Sequence, residues 1–281
     1  MIETVYPHPE ARLRTSRLRP ALWWLVVPAI LFFLLFFIIP LFSLFAISFD
    51  KTTSGVITFQ GNLTLENFER IFTRALYYGA IWRSVLIGAL VSFICLVIGY
   101  PLAFIIARTL RPRLATLLTI LVLSALQLDM VIRLYGMMVL MGDNGIINTA
   151  LIQFGIINTP LPLMYNAFGV VIGLVQVTLP FMILSLIGAI KSINPSLEEA
   201  ARSLGSSRWH VMLTITWPLS LPGVYAGTLL VFALAISSYV VPALMGGWKV
   251  MTLPIHIYQQ IAEVGRWQFG AAVASILFVP A

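Results

Sequence analysis

Apolar residues run through this chain in long unbroken stretches, with the polar residues gathered between them. The stretches lie at approximately 21–49, 81–107, 114–141, 165–190 and 216–241, and a sixth runs from 267 to the end. A bilayer core about 30 Å thick takes roughly 20 apolar residues in a helix, so each of the first five predicts a membrane-crossing helix. The sixth has 15 residues, Trp267 to Ala281, and at helical rise spans only roughly 22 Å. It reads as a final helix cut short within the given sequence. The expected fold is therefore an all-α polytopic membrane protein of about six transmembrane helices. A tail at 1–20 precedes one transmembrane unit at 21–281.

Composition points the same way. Of 281 residues, 60% are hydrophobic and 10% charged, whereas a soluble domain carries about 25% charge. The net charge of +7 is not gathered into one patch, which argues against a nucleic-acid partner and for lipid as the solvent. Arg12, Arg14, Arg17 and Arg19 precede the first run, Arg108, Arg111 and Arg113 follow the second, and Lys191, Arg202 and Arg208 follow the fourth. Lys51, Arg70 and Arg74 lie on the opposite side, where 142–164 has no basic residue. This balance puts the N-terminus, 108–113 and 191–215 in the cytoplasm. The first run is too long for the roughly 7–15 residues of a signal-peptide core, so it is read as a retained helix. Cys95 is alone and forms no internal disulfide.

Two loops on the opposite side carry structure of their own. In 50–80, Leu65, Phe68, Ile71 and Phe72 have helical spacing and predict a short amphipathic helix. The 142–164 segment has turn signals around an apolar centre and is expected to dip into or pack on that surface.

Between the fourth and fifth runs lies KSINPSLEEAARSLGSSRWHVMLTITWP, residues 191–218. Asn194 is placed to cap a helix with Pro195 in its first turn, and Ser196 and Glu199 have capping-box spacing. Gly205 halts that helix, and Ser206 or Ser207 can cap a second that begins near Arg208 and is expected to close at Pro218. Two short helices joined at a glycine, with small Ala200 and Ala201, suit insertion into a cleft of another protein. The plainer reading is an ordinary helix–turn–helix loop.

This segment resembles the EAA motif of binding-protein-dependent ABC importer permeases, with Glu199, Ala200, Ala201, Gly205, Ile215 and Pro218 at matching positions and Trp217 where that family usually has Leu. The resemblance implies a type I ABC importer permease core and a coupling helix that docks into a separate ATPase. Glu199 would then pair with a basic residue there. ATP and Mg would belong to that ATPase, with no cofactor held by this chain. It further implies a second permease subunit, a periplasmic or extracellular solute-binding protein docking on 50–80 and 142–164, and a location in the bacterial inner membrane.

Leu126 to Asn148 is similar to the third-span segment of the spermidine/putrescine branch of that family through Arg133, Tyr135, Gly142, Asn144 and Gly145, with Met137 where an aromatic is common. Ile236 to Gly247, followed by Tyr258-Gln259-Gln260, is similar to that branch's fifth-span exit. The branch implies a polyamine as substrate, and related permeases carry other small solutes such as amino-acid-like compounds, phosphonate or iron.

Asp129 and Arg133 are four residues apart, which predicts one shared helix face. A charge in mid-membrane costs about 2.5–3.5 kcal/mol, so Asp129 either lines the path of a cationic substrate or pairs with Arg133 to orient the helix. Gln176 either contacts substrate or hydrogen-bonds between helices. Ser237, Ser238 and Tyr239 form either a polar break or a packing contact.

Other classes fit less well. No phosphate-binding G-x-x-x-x-G-K-[ST] occurs, so this chain is read as a transport subunit and not an enzyme. A secondary transporter would need more intramembrane acids than Asp129 and paired broken helices. An intramembrane hydrolase would need a G-x-S-x-G or H-E-x-x-H. His210 and His256 are isolated, so neither a metal site nor a catalytic group is inferred.

Overall fold

The computed structural model describes residues 20–52 and 61–278, with side chains from Val26 onward. The expectation of a cytoplasmic tail, which rests on Arg12, Arg14, Arg17 and Arg19, lies outside the described residues. So does the end of the sixth run past Phe278. The chain divides into two compact units at Ala46/Ile47.

In the first unit, α1 (Pro20–Phe33) leads through a widened turn at Leu34–Ile38 into α2 (Ile39–Ser48), whose last residues enter the second unit. In the turn the Ile39 amide bonds to the Leu34 carbonyl, five residues back. Pro40 follows at once. A proline in a helix has no amide proton, and its ring crowds the carbonyl four residues earlier. A π-type turn just before it relieves that crowding without ending the helix. Phe32, Phe36 and Phe42 are exposed along these helices.

The second unit contains α3 (Glu66–Thr73), α4 (Ala75–Arg108), α5 (Pro112–Gln127), α6 (Met130–Met141), α7 (Ile146–Gln153), α8 (Ala167–Ser192), α9 (Pro195–Ser203), α10 (Arg208–Val211), α11 (Trp217–Ser237), α12 (Val240–Gly246), α13 (Leu253–Tyr258) and α14 (Trp267–Leu277). Its frame is α4, α8 and α11, each packed on the other two. Lipid supplies no hydrophobic drive to bring such helices together, so close approach of small residues does it. A methyl group at Gly223 of α11 would lie 2.1 Å from the Ala189 Cβ of α8, and one at Gly227 would lie 2.9 Å from the Met182 Sδ. Tyr100 of α4 adds a hydrogen bond of 3.0 Å to Ser220 of α11.

Five segments are long and apolar enough to cross a membrane: Val26–Ser48, Ala75–Arg108, Met130–Gln153, Ala167–Ser192 and Arg208–Ser237. α5 and α14 are shorter apolar helices. Two boundaries differ from the expected ones for physical reasons. The run at 114–141 is not one helix but α5 and α6, broken where Leu128 adopts extended backbone and Asp129 turns back to cap α6. The second helix of the 191–218 segment does not close at Pro218. α10 passes through a π-type turn at Met212–Thr216, where the Trp217 amide bonds to the Met212 carbonyl, and continues as α11. This is the arrangement found before Pro40.

The loops are tied down by buried amides. α3 sets Ile71 and Phe68 into the apolar cluster that also holds Phe269 of α14, while Leu65 and Phe72 stay exposed. Asn67 donates to the carbonyls of Ser48 at 3.1 Å and Asp50 at 2.8 Å. In 142–164, buried Asn148 bonds to the Gly142 carbonyl and to both backbone groups of Leu161, which folds that segment onto itself around α7.

Gly223→Ala is expected to force α11 off α8 and to destabilise the protein by about 1–3 kcal/mol, whereas Gly188→Ala, which meets nothing within 4 Å, leaves stability unchanged or raised. Thermal melting of the two detergent-purified variants checks this.

Candidate functional site

Two places on the second unit hold the chemistry. The first is a cavity of about 640 Å³ lined by α5, α6, α8, α11 and α12. It lies where two helix breaks meet. α5 stops at Gln127 and α6 begins at Met130, while α11 stops at Ser237 and α12 begins at Val240. Irregular backbone within a membrane is tolerated only against protein or a water-filled space, and at the first break side chains take up some of the freed groups. The Asp129 carboxylate accepts from the amides of Val131 at 2.9 Å and Ile132 at 3.2 Å. The Arg133 guanidinium donates to the Ala125 carbonyl, one of the last carbonyls of α5 that lack a helical partner. The Ser237 hydroxyl donates to the Ala233 carbonyl at 2.7 Å.

Asp129 and Arg133 therefore cap two different helices, and although both line the cavity they form no ion pair with each other. The structure brings Gln127, Asp129, Arg133, Ser238 and Tyr239 to this cavity, with Thr178 and Phe181 of α8 on its wall. Among the described residues Asp129 is the one acidic side chain lining it. Tyr258 stacks on Tyr239 with ring centroids 4.7 Å apart. Gln176 and Ser237 do not line it. Ser237 is exposed and bonded within its own helix, and the Gln176 Oε1 is buried with no hydrogen-bond partner. Thr178 and Phe181 escaped the sequence reading because α8 is apolar all round, so its pattern does not say which face lines a cavity.

The second place is the 191–218 segment. The Asn194 side chain accepts from the Ser196 amide at 3.1 Å, so it alone caps α9. The Ser196–Glu199 capping box is not used: Glu199 is exposed, and the Ser196 amide is already taken. α9 ends in a Schellman arrangement in which Ser206 N–H bonds to the Ala201 carbonyl and Gly205 N–H to the Arg202 carbonyl. Gly205 has φ +89°, a conformation that disfavours any residue with a Cβ. Ser207, not Ser206, caps α10 by accepting from the His210 amide at 3.2 Å.

Around that turn Leu204 is 89% and Trp209 72% exposed. Glu199 and Ala200 are exposed beside them, and Ala201 and Ile215 are partly buried. Pro218 is exposed at the start of α11. A cleft of about 610 Å³ flanks the segment, lined by Arg108, Arg111, Arg202, Arg208, Glu198 and Glu199 among others.

Glu198, not Glu199, is the glutamate with partners inside the protein. It receives Arg108 Nε at 2.8 Å and the Thr216 hydroxyl at 3.0 Å. The signal for it was the pair of adjacent glutamates, which a helix turns about 100° apart, so that both cannot face the same way.

No protein-family profile matches the chain. The spermidine/putrescine transport permease PotB of Haemophilus influenzae is 38% identical over 251 residues, covering 89% of this chain and 87% of that protein. PotB of Escherichia coli is 35% identical over 216 residues, covering 77% and 78%. Among solved structures, a bacterial ABC transporter that imports the acidic polysaccharide alginate superposes with a TM-score of 0.71 at 18% identity, over 92% of this chain and 91% of that one. It shares the fold. With relatives this similar over most of its length, the chain belongs to the PotB-type family of ABC transporter permeases, multi-pass transport subunits of the bacterial inner membrane.

Proposed function

We propose that this chain forms half of the translocation path of an ABC importer and that its solute is a polyamine of the spermidine/putrescine class. The observation that carries the reading is the cavity at the two facing helix breaks, with Asp129 as its single acidic lining residue. Its volume of about 640 Å³ falls within the roughly 300–1,000 Å³ of small-ligand sites. Phe181 and Tyr239 put aromatic rings on its wall, which suit an ammonium group, and Gln127 and Ser238 offer neutral acceptors. The names of the PotB relatives support the solute class.

In this reading the N-terminus and 191–218 face the cytoplasm, as the clusters of basic residues favour. An ATP-binding cassette ATPase, which holds ATP and Mg, receives the turn formed by α9 and α10. Leu204 and Trp209 are the apolar anchors, Glu199 pairs with a basic residue of that subunit, and Ala200 and Ala201 permit close approach. A second permease completes the pore, lipid surrounds it, and a periplasmic solute-binding protein delivers solute to the opposite face. ATP binding draws the two ATPases together and moves the coupling helices inward, which opens the path outward, and hydrolysis resets it.

Cells that lack this gene are expected to lose uptake of radiolabelled putrescine and spermidine and to regain it on complementation. Unchanged uptake in the absence of a redundant system overturns the polyamine assignment.

Asp129→Asn retains the cap on α6 and removes the charge, whereas Asp129→Ala also costs about 1 kcal/mol of stability. With a charge-assisted hydrogen bond contributing roughly 1.5–3 kcal/mol, Asp129→Asn is expected to raise the KM for import of a cationic solute about tenfold or more, in a protein that melts as the parent does. A parental KM in that variant removes Asp129 from the solute path.

Gly205→Asp strains the left-handed turn, and Leu204→Ser with Trp209→Ser strips its apolar tip. Both are expected to insert into the membrane at normal levels but to lose the ATPase in co-purification. Normal association together with normal uptake excludes this loop as the coupling element.

A further inference from the structure

Arg108 and Glu198 form the one salt bridge among the described residues, at 2.8 Å, with side chains only 13% and 11% exposed. Taking two charges out of water is expensive, and the attraction between them offsets that only with good geometry and further hydrogen bonds. Those bonds are present. Arg108 Nη2 donates to the Ile193 carbonyl at 3.0 Å, and the Thr216 hydroxyl donates to Glu198 Oε1 at 3.0 Å.

The four groups come from four different places. Arg108 is the last residue of α4, Ile193 caps the end of α8, Glu198 lies in the first turn of α9, and Thr216 closes the π-type turn that leads into α11. Two turns up α4, Tyr100 bonds to Ser220 and packs edge-on against Trp217 of α11 with ring centroids 4.8 Å apart. The cytoplasmic ends of the three frame helices are thus pinned to the helix that carries the docking turn.

We infer that Arg108 and Glu198 are positioning residues that make the coupling helices move as one body with the ends of α4, α8 and α11. The adjacent glutamates divide the work: Glu199 faces outward, and Glu198 faces inward and fixes the lever to the frame. A displacement applied at Leu204 and Gly205 then reaches α11, whose far end lines the solute cavity, without being lost in bending between α9 and the bundle. This role rests on the coupling reading of 191–218 given above.

The test uses the full importer in vesicles, with both permeases, the ATPase and the solute-binding protein, and measures ATPase content, ATP hydrolysis and solute imported per ATP. Arg108→Gln and Glu198→Gln are expected to keep the ATPase and to hydrolyse ATP while import per ATP falls about fivefold or more, the lower end of the usual range for coupling between sites. Arg108→Lys, which keeps the charge, is expected to recover most of the ratio. In a Cys95→Ala background, Arg108→Cys with Glu198→Cys is expected to be uncoupled until a short bifunctional thiol reagent joins the two positions. A fall in the amount of complex with the import ratio unchanged would show that the pair only stabilises the fold and would overturn the inference, as would a cross-linked pair that stays uncoupled. Absence of the ATPase from the unmodified complex would instead overturn the coupling reading itself.

Discussion

In hydrocarbon a backbone amide or carbonyl has no water to turn to, and each one left unsatisfied costs several kcal/mol. A membrane helix can therefore stop only where something else takes over its hydrogen bonds. This chain meets that constraint in two ways. Ahead of Pro40 and Pro218 it widens one turn, so the helix passes the proline and stays closed. At Leu128–Asp129 it stops outright, with Asp129 serving the amides of the next helix and Arg133 a carbonyl of the previous one. The cavity exists because α11 also stops opposite this break, at Ser237. Polar side chains that would read as ligands by type are thus partly committed to backbone before any solute arrives.

The same economy shapes the frame. α4, α8 and α11 approach so closely that glycine is needed where α11 meets α8, and packing of that density does not bend gradually. Movement in such a bundle takes the form of rigid bodies turning on one another. The breaks and the buried salt bridge then sit at opposite ends of one stiff unit, and on the proposed function the first would hold solute and the second would take the force from the ATPase.

Much of this was legible in the sequence because the deciding forces are local or averaged. Hydropathy marks the runs since a membrane demands it of exposed residues, and the turn between α9 and α10 was readable because Asn194, Pro195 and Gly205 act on their own backbone. What was missed depends on distance or rotation. The break at Asp129 was hidden because a run of apolar residues on either side outweighs two charges in any average. Pro218 was read as a stop because its usual effect was applied without the preceding turn that absorbs it. Glu198 could not be told from Glu199 when its partner lies 90 positions away. The placing of Gln176 and Ser237 away from the cavity reflects helices that are apolar on every side, where no stripe fixes the rotation.

The cavity's charges also bear on how a polyamine would be held. Arg133 gives its hydrogen bond to the Ala125 carbonyl rather than to Asp129, so the lining carries one basic and one acidic side chain that are not joined as a pair. An ammonium group gains there only if it sits nearer the carboxylate than the guanidinium, because the two fields oppose each other and fall off with distance. One chain accordingly offers one anionic contact, flanked by the rings of Phe181 and Tyr239 and the neutral groups of Gln127 and Ser238. An extended solute with two or more ammonium groups needs further acceptors beyond this wall. In the proposed importer they would come from the facing permease, so that each half holds solute weakly and the closed pair holds it well enough to carry but not to keep.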